Sequence, residues 1–148
     1  LWSWGRNLYG QLGLNNITDY SSPKQVGALT TWSKVSCGAY HTIATKTDGT
    51  LWSWGYNNVG QLGLGNITNY SSPKQVGALT NWLSISCGAY HTIAIKTNGT
   101  LWSWGKNNHG ELGLNNTTNY SSPKQVGSLT SWLSISASYS SAFGIAKT

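Results

Sequence analysis

The chain is built from a 50-residue repeat, and this feature constrains its fold more than any other. The pentapeptide LWSWG begins at Leu1, Leu51 and Leu101, and SSPKQVG follows at the same distance in each copy. The first two copies agree at 39 of 50 positions, and the second and third agree at 29 of 36 positions up to Ser136. Repeats of this length are typical of folds in which each unit packs against the next. We therefore expect three units, residues 1–50, 51–100 and 101–148, the third divergent after residue 136.

The phase of the repeat predicts how the chain relates to a longer array. Its first residue is Leu1, which lies inside the repeating pattern, and its last residue falls two positions short of a third full copy. This phase favours the interpretation that the 148 residues are a segment of a larger repeat protein.

Each copy contains four short segments with the alternating pattern of β-strands and no segment with helical periodicity. In the second copy, the two Trp of LWSWG share one face, and Pro73 is expected to open a short run over residues 74–76. Apolar and polar residues then alternate strictly over residues 83–87, and a fourth run covers residues 91–96. The sequence therefore predicts about four strands in each copy.

The connection between copies carries a hairpin signal. The dipeptide Asn98-Gly99 separates the fourth strand of the second copy from the LWSWG segment of the third, and Asn-Gly between alternating runs is the strongest short hairpin signal. Four strands in about 50 residues match a propeller blade. We expect an all-β protein of about three four-stranded blades.

The motifs of each copy resemble the RCC1 repeat. They run in the order WG, then GQLGL, then Pro before a Val-containing strand, then ISCG-x-x-HT-x-A-I-K, and they cover all three copies up to Ser136. The resemblance implies a seven-bladed β-propeller, of which three units are a part, and it leaves room for several chains in one ring. It also implies chromatin binding and guanine-nucleotide exchange on a small GTPase, although no motif in this chain marks an exchange surface.

Two Cys–His pairs are the clearest metal candidates. Cys37 precedes His41 and Cys87 precedes His91 with the same spacing, and four such ligands could hold Zn²⁺. However, a Gly follows each Cys and the two pairs lie one blade apart, and the pattern CG-x-x-H is part of the RCC1 resemblance. We expect small core cysteines and structural histidines, with neither a metal site nor a disulfide.

The sequence offers little for catalysis. Its three acidic residues are Asp19, Asp48 and Glu111, and each occupies a position where another copy carries Asn or Gln. A paired-carboxylate mechanism needs two acids together, and no Ser/His/Asp arrangement stands out. The glycine-rich stretches lack the GK[ST] of a phosphate-binding loop. We expect no enzyme and no cofactor.

The positive charge is spread rather than clustered. The formal net charge is +6 although only 8% of the residues are charged. Most lysines repeat one position per copy, as Lys24, Lys74 and Lys124 do, and Lys46 and Lys96 form a second such set. Repetition could produce a ring of lysines that attracts phosphate or acidic partners, and solvated structural lysines are the alternative. Nucleic acid is only weakly indicated, and no apolar run is long enough for a membrane span.

Differences between the copies point to candidate binding loops. They concentrate in the loop after WG and just before a repeated Trp, whereas the rest of the frame is nearly invariant. Loops on a rigid repeating frame are where recognition usually occurs, and drift at exposed turns is the alternative. The candidate partner-binding residues are Arg6, Leu8, Tyr9, Tyr56, Asn58, Val59, Lys106, His109, Trp32, Trp82 and Trp132.

The sequence thus favours a non-enzymatic scaffold that binds proteins through loops on one propeller face. An assembly unit of a multi-chain ring or surface fibre is the alternative, followed by a glycan-binding propeller and a guanine-nucleotide exchange factor. Few charges and many Ser, Thr and Asn weakly favour an extracellular or cell-surface protein. Sequons at Asn16, Asn66 and Asn116 permit glycosylation where the source cell performs it.

Overall fold

The computed structural model describes residues 1–28 and 30–147, and these residues form twelve antiparallel β-strands. No helix long and apolar enough to cross a membrane occurs among them. The strands are β1 Trp2–Gly5, β2 Tyr20–Gln25, β3 Trp32–Cys37, β4 His41–Lys46, β5 Leu51–Gly55, β6 Tyr70–Gln75, β7 Trp82–Cys87, β8 His91–Lys96, β9 Leu101–Gly105, β10 Tyr120–Gln125, β11 Trp132–Ala137 and β12 Ala142–Ala146.

The strands form two complete sheets and two half-sheets. The complete sheets have the orders β3-β4-β5-β6 and β7-β8-β9-β10, and the half-sheets are β1-β2 and β11-β12. Each complete sheet therefore joins the last two strands of one repeat to the first two strands of the next. The blades are offset from the sequence repeats by half a unit, so that every repeat boundary inside the chain lies within a single sheet.

The predicted hairpin between copies produces this offset. Strands β8 and β9 pair without irregularity from His91 opposite Gly105 to Ile95 opposite Leu101. In the connecting turn, Gly99 has a φ of 75°, and the Asn98 side-chain oxygen accepts hydrogen bonds from the backbone N–H and the hydroxyl of Thr100. The hairpin signal of the sequence is thereby confirmed.

The second strand of each repeat differs from its prediction. Strand β6 begins at Tyr70, and Pro73 lies inside it rather than at its start. Proline is tolerated because β6 is the outer edge of its sheet, where one side of the strand has no ladder partner. The pairing with β5 is also irregular between the Ser53 and Gly55 positions, which indicates a bulge where the proline lies.

The core lies between successive sheets. Strand β7 contacts β3 and β4, and β11 contacts β7 and β8, which identifies β3, β7 and β11 as the inner strands, where neighbouring blades come closest. Strands β4 and β8 lie second from this inner edge and are buried along almost their whole length. One apolar cluster fills the space between the complete sheets, and a second lies between β8, β9 and β11.

A repeated hydrogen-bond clamp fixes each blade to the preceding one. The backbone carbonyl of Gln61 accepts bonds from the Trp104 indole N–H at 3.0 Å and from the Thr92 hydroxyl at 3.0 Å. The same arrangement joins Gln11 to the following sheet. Gly63 makes room for the indole, because a Cβ built there would lie 2.7 Å from the Trp104 ring nitrogen. The GQLG motif is therefore a socket for the LWSWG tryptophan of the next repeat.

Candidate functional site

One end of the blades carries the loops that vary most between the copies. The long loops after β1, β5 and β9 lie at this end together with the short turns that follow β3, β7 and β11. The backbone bond from the Tyr56 N–H to the Tyr40 carbonyl, 2.8 Å long, joins a loop to a turn. We call this surface the tyrosine face, because its side chains include Tyr9, Tyr40, Tyr56 and Tyr90.

These four tyrosines pack into one continuous cluster. Tyr9 lies with its ring centroid 4.4 Å from that of Tyr56 and 5.3 Å from that of Tyr40. Tyr90 extends the cluster at 6.3 Å from Tyr40 and 6.5 Å from Tyr56. All four side chains remain partly exposed, so the cluster is a surface of stacked aromatic rings.

Two cations border the tyrosine face. The Arg6 guanidinium lies 5.6 Å from the ring centroid of Tyr40, and the Lys106 ammonium lies 6.0 Å from that of Tyr90. Burial and the neighbouring tyrosines, Tyr139 first among them, raise the pKa of Tyr90 above its usual range. The face thus offers aromatic rings, hydroxyl groups and positive charge to a partner.

Buried amides brace the loops that carry this face. The Asn57 side chain donates to the Asn66 and Thr68 carbonyls at 3.0 Å, and its oxygen accepts the Leu62 N–H. The Asn66 side-chain oxygen in turn accepts the Thr68 N–H, while its nitrogen contacts the Tyr70 hydroxyl. Because the sequon amide is used inside the loop, attachment of a glycan at Asn66 would remove contacts that shape it.

The third repeat keeps this amide brace through Asn107, but Glu111 replaces the glutamine that makes a second contact in the same loop. Gln61 accepts the Val59 N–H, whereas the Glu111 carboxylate accepts the His109 N–H at 2.8 Å and lies 3.3 Å from its imidazole. Burial acts to raise the pKa of Glu111, but the hydrogen bonds from His109 and from its own backbone outweigh it and lower the pKa. The only carboxylate buried in the described part of the chain therefore shapes a loop.

The opposite end of the blades presents repeated Lys–Trp stacks. The Lys46 ammonium lies 3.6 Å from the ring centroid of Trp52, and the Lys96 ammonium lies 3.5 Å from that of Trp102. Burial lowers the pKa of Lys96. These lysines cover tryptophan rings, so they do not form a free positive ring. Lys24, Lys74 and Lys124 remain exposed, each near a tyrosine of its own strand.

The predicted partner-binding residues divide between the two ends. The tyrosine face contains the eight predicted residues that follow WG: Arg6, Leu8, Tyr9, Tyr56, Asn58, Val59, Lys106 and His109. Trp32, Trp82 and Trp132 are the first residues of β3, β7 and β11, at the opposite end. Trp82 is only 5% exposed. The prediction that they lie in loops is wrong, because each opens an inner strand. Trp32 and Trp82 pack against LWSWG tryptophans of their own sheets, as Trp82 does against Trp102 and Trp104, and Trp132 packs against the apolar cluster around Ile93.

The Cys–His pairs make packing contacts, and the described residues contain no cluster of three or more side chains that could hold a metal ion. Gly38 closes the turn through its N–H to the His41 carbonyl, and a Cβ at Gly38 would collide with the His41 ring. The pattern CG-x-x-H therefore packs an imidazole against a bare backbone. Cys37 and Cys87 are free thiols, and burial raises the pKa of Cys87 to about 12.

Comparison with known families decides the classification. The profile described as "Regulator of chromosome condensation (RCC1) repeat" matches residues 1–45, 48–95 and 98–145, and a second RCC1 profile matches residues 32–61 and 82–111. The chain belongs to the RCC1 repeat family. No curated protein sequence matches it.

Solved structures of RCC1-type propellers share the fold. Human WBSCR16 superposes with a TM-score of 0.86 at 23% identity, over 99% of this chain and 40% of that one. Prp20p from Saccharomyces cerevisiae, whose structure is described together with its binding to Gsp1p and histones, gives 0.84 at 19% identity over 99% and 40%. A third structure, Kap60 bound to yeast RCC1 (Prp20), gives 0.82 at 22% over 98% and 37%. The all-β RCC1-like propeller architecture is thereby confirmed, and the chain spans about two fifths of the length of these relatives.

The sequence prediction missed half of the tyrosine cluster. Tyr40 and Tyr90 are identical between the first two copies and lie inside the frame motif CGAYH, so the search for variable positions passed over them. Tyr139 also lies in the turn that closes β11 and is 73% exposed. A search for repeated aromatic residues beside turn glycines would have found Tyr40 and Tyr90.

Proposed function

We propose that this chain is a non-catalytic RCC1-type scaffold that binds a protein partner through the tyrosine face. The observation that carries the proposal is the cluster of four partly exposed tyrosines contributed by loops and turns of three successive sheets. Tyrosine supplies contact area and hydroxyl groups at small entropic cost, and it is enriched at the energetic centres of interfaces.

The positive charges at the edge of the tyrosine face favour a partner whose contact surface carries acidic residues at its edge. Arg6 and Lys106 flank the tyrosines, and the buried Glu111 carboxylate is occupied by His109. A surface with aromatic rings at its centre and cations at its edge complements apolar or aromatic anchors surrounded by carboxylates. Prp20p, which shares this fold, is described together with its binding to Gsp1p and histones, and this supports protein binding as the role proposed for this chain.

The test compares two matched double variants. Tyr9→Ala with Tyr56→Ala removes the centre of the face, whereas Leu79→Ala with Leu129→Ala removes exposed apolar side chains at the opposite end. A partner is captured with the wild-type chain and identified, and its affinity for each purified variant is then measured by calorimetry. We expect the tyrosine variant to bind at least 10-fold more weakly and the leucine variant to bind normally. Equal binding by all three chains contradicts the proposal.

Guanine-nucleotide exchange is separated from simple binding by a second assay. Gsp1p serves as the small GTPase in this assay. It is loaded with a fluorescent guanine nucleotide and mixed with the chain, and release of the nucleotide is followed. The scaffold role predicts release at the basal rate. Accelerated release that is lost in the tyrosine variant would replace the scaffold by an exchange factor.

A further inference from the structure

Two equivalent pockets lie between successive blades, one repeat apart. The first pocket lies between β1-β2 and the sheet β3-β4-β5-β6 and has a volume of about 400 Å³. The second pocket lies between the two complete sheets and has a volume of about 370 Å³. Volumes of this size are typical of small-molecule sites. The residues that line the second pocket all fall within residues 63–123, so both of its walls come from complete sheets and their loops.

The repeated motif SSPKQVG, which takes no part in the tyrosine face, builds both walls of the second pocket. Gln75 and Val76 come from one copy of the motif, and Pro123 comes from the next copy. The first pocket uses the equivalent positions one repeat earlier. At every position that the two linings share, the residue is the same except at Gly65, which corresponds to Asn15. The repeat therefore specifies the pocket together with the blade.

The second pocket has apolar walls around a single cation. Its apolar surface comes from Leu64, Val76, Leu79, Trp82, Trp102 and Pro123. Lys96 is the one charged side chain among the described residues that line it. Val76 and Lys96 are buried, whereas Leu79 is 49% exposed, so the leucine lies at the opening and the lysine lies inside.

Two buried polar groups in this lining have no polar partner. Lys96 is 5% exposed, and its ammonium lies 3.5 Å from the ring centroid of Trp102 and 4.8 Å from that of Trp82. No carboxylate pairs with it in the described part of the chain, where the ion pair found is that of His109 with Glu111. The indole N–H of Trp82, which is also 5% exposed, has no acceptor among these residues. Because buried cations and donors are ordinarily paired, these two groups indicate a ligand that supplies negative charge and acceptor oxygens.

The second tryptophan of the pocket is already held in place by the protein. The Trp102 indole N–H donates to the Thr100 hydroxyl at 2.9 Å, and this hydroxyl donates to the Asn98 side-chain oxygen at 2.8 Å. The ring of Trp102 is thereby fixed as a wall, and its N–H is not available to a ligand. The donors that remain for an anion are the Lys96 ammonium and the Trp82 indole N–H.

The first pocket differs in the charge beside its lysine. Asp48 corresponds to Asn98, and hydrogen bonds from Thr50 together with the weaker effect of the Lys46 charge lower the pKa of Asp48. The Asp48 carboxylate therefore offsets part of the positive charge of Lys46. We expect an anion to bind more weakly in the first pocket than in the second.

The scarcity of polar groups in the lining selects the kind of anion. Besides Lys96 and Trp82, the second pocket offers only the polar side chains of Gln75 and Ser122 among the described residues. A sugar carries many hydroxyl groups, and each one that is buried needs a hydrogen-bond partner. A carboxylate on an apolar body needs partners for its two oxygens only. The lining therefore favours the carboxylate over the sugar.

We propose that the second pocket binds an organic carboxylate with an apolar or aromatic body, and that the first pocket is a weaker site for the same ligand. The carboxylate pairs with the Lys96 ammonium, and the body packs against Leu64, Val76 and Pro123. Both pockets share no residue with the tyrosine face. The proposal therefore stands or falls independently of the protein-binding role proposed above.

Three small molecules test the chemistry of the ligand. Phenylpropionate, its neutral amide and glucuronate are each titrated into the isotope-labelled chain, and the indole N–H signals are followed by nuclear magnetic resonance. The Trp82 signal is assigned by its loss in Trp82→Phe. We expect a saturable shift of this signal with phenylpropionate and about 10-fold weaker binding of the amide, which cannot pair with the ammonium. The absence of a saturable shift at about 10 mM phenylpropionate, equal affinity for the amide, or tighter binding of glucuronate overturns the proposal.

Charge variants test the role of Lys96. Lys96→Gln should weaken binding at the second pocket by about 10-fold or more, while the Trp32 signal of the first pocket still shifts. Lys147→Gln removes the same charge from an exposed lysine outside both pockets and should have no effect. Near-ultraviolet circular dichroism checks that each variant folds.

An exchange between the repeats gives a test that does not depend on the folding of Lys96→Gln. Asn98→Asp introduces the residue that the first copy already carries, and it should weaken binding at the second pocket by roughly 2- to 5-fold. Asp48→Asn should strengthen binding at the first pocket by a similar factor. Unchanged affinity at the second pocket in both Lys96→Gln and Asn98→Asp contradicts the proposal.

A peptide comparison then identifies the source of the carboxylate. A short peptide that ends in Phe is titrated with its C-terminal carboxylate free and with the same group amidated. Tighter binding of the free peptide than of phenylpropionate assigns the pockets to the C-terminus of a polypeptide, and the reverse order assigns them to a free small molecule. Either order supports the carboxylate site, whereas tighter binding of the amidated peptide than of the free peptide contradicts it.

Discussion

The same pentapeptide, LWSWG, occurs in complete sheets and in a half-sheet, and its environment differs completely between them. Trp54 and Trp104 lie in complete sheets and are buried against the loop of the preceding blade, whereas Trp4 lies in the half-sheet β1-β2 and is exposed. The local sequence and strand geometry are the same in all three places. Burial in this fold is therefore supplied by the neighbouring blade, as in other repeat proteins whose stability depends on interfaces between units.

The largest expected effect on stability comes from replacing a buried LWSWG tryptophan. Trp104→Ala removes a fully buried indole together with its bond to the Gln61 carbonyl, so the free energy of unfolding should fall by about 3–5 kcal/mol. Trp4→Ala changes an exposed side chain, so it should alter the free energy of unfolding by less than about 0.5 kcal/mol. Urea denaturation followed by circular dichroism measures both. Equal losses at the two positions would mean that burial by the neighbouring blade does not govern stability.

The buried, repeated histidine should make the stability of the chain depend on pH. His41 lies in a complete sheet, and burial together with the nearby His91 lowers its pKa from 6.5 to about 3. As the pH falls below 6.5 the unfolded chain binds a proton that the folded chain does not, so stability should fall by up to about 1.4 kcal/mol per pH unit until the pH approaches 3. Above pH 6.5 this histidine should contribute no slope.

Two variants test how much of this fall in stability below pH 6.5 comes from His41. Stability curves from pH 7.5 to 4 are compared for the wild type, His41→Gln and His109→Gln, in which the last change affects an exposed histidine. His41→Gln should make the curve shallower and leave the slope that comes from His91, whose pKa burial also lowers, and His109→Gln should leave the curve nearly unchanged. A curve for His41→Gln parallel to that of the wild type would show that another group causes the acid sensitivity.

The smallest expected effect is a gain of stability at β12, where a hydrogen bond to His91 is missing that the equivalent His41 makes to Thr92. The His41 imidazole lies 3.1 Å from the Thr92 hydroxyl, but Ala142 occupies the corresponding position beyond His91. The His91 Nε2 atom has no partner among the described residues. Ala142→Thr should supply this hydroxyl and raise the free energy of unfolding by about 1 kcal/mol. Ala142→Val has the same shape without the hydroxyl, and an equal gain from it would exclude the hydrogen bond as the cause.

The candidate site was predictable only in part. The variable loop after WG indicated Tyr9 and Tyr56, because differences between copies mark positions that the frame does not need. Tyr40 and Tyr90 escaped this reasoning because turns that repeat unchanged look purely structural. Trp82 was a candidate because the copies differ at the residue just before it, yet it opens an inner strand and packs against two other tryptophans.

The sequence by itself determined the repeat, the strand-rich character, the hairpin at Asn98-Gly99 and the RCC1 family, because these depend on alternation, turn chemistry and motif spacing within a few residues. Only the tertiary structure decided that a blade spans two repeats and that four tyrosines from separate segments meet on one face. It also decided which of the identical LWSWG segments are buried and which one is exposed. The physical reason is that burial and side-chain clusters arise between segments that lie next to each other in space, and the pattern within one repeat does not specify which neighbour covers which edge.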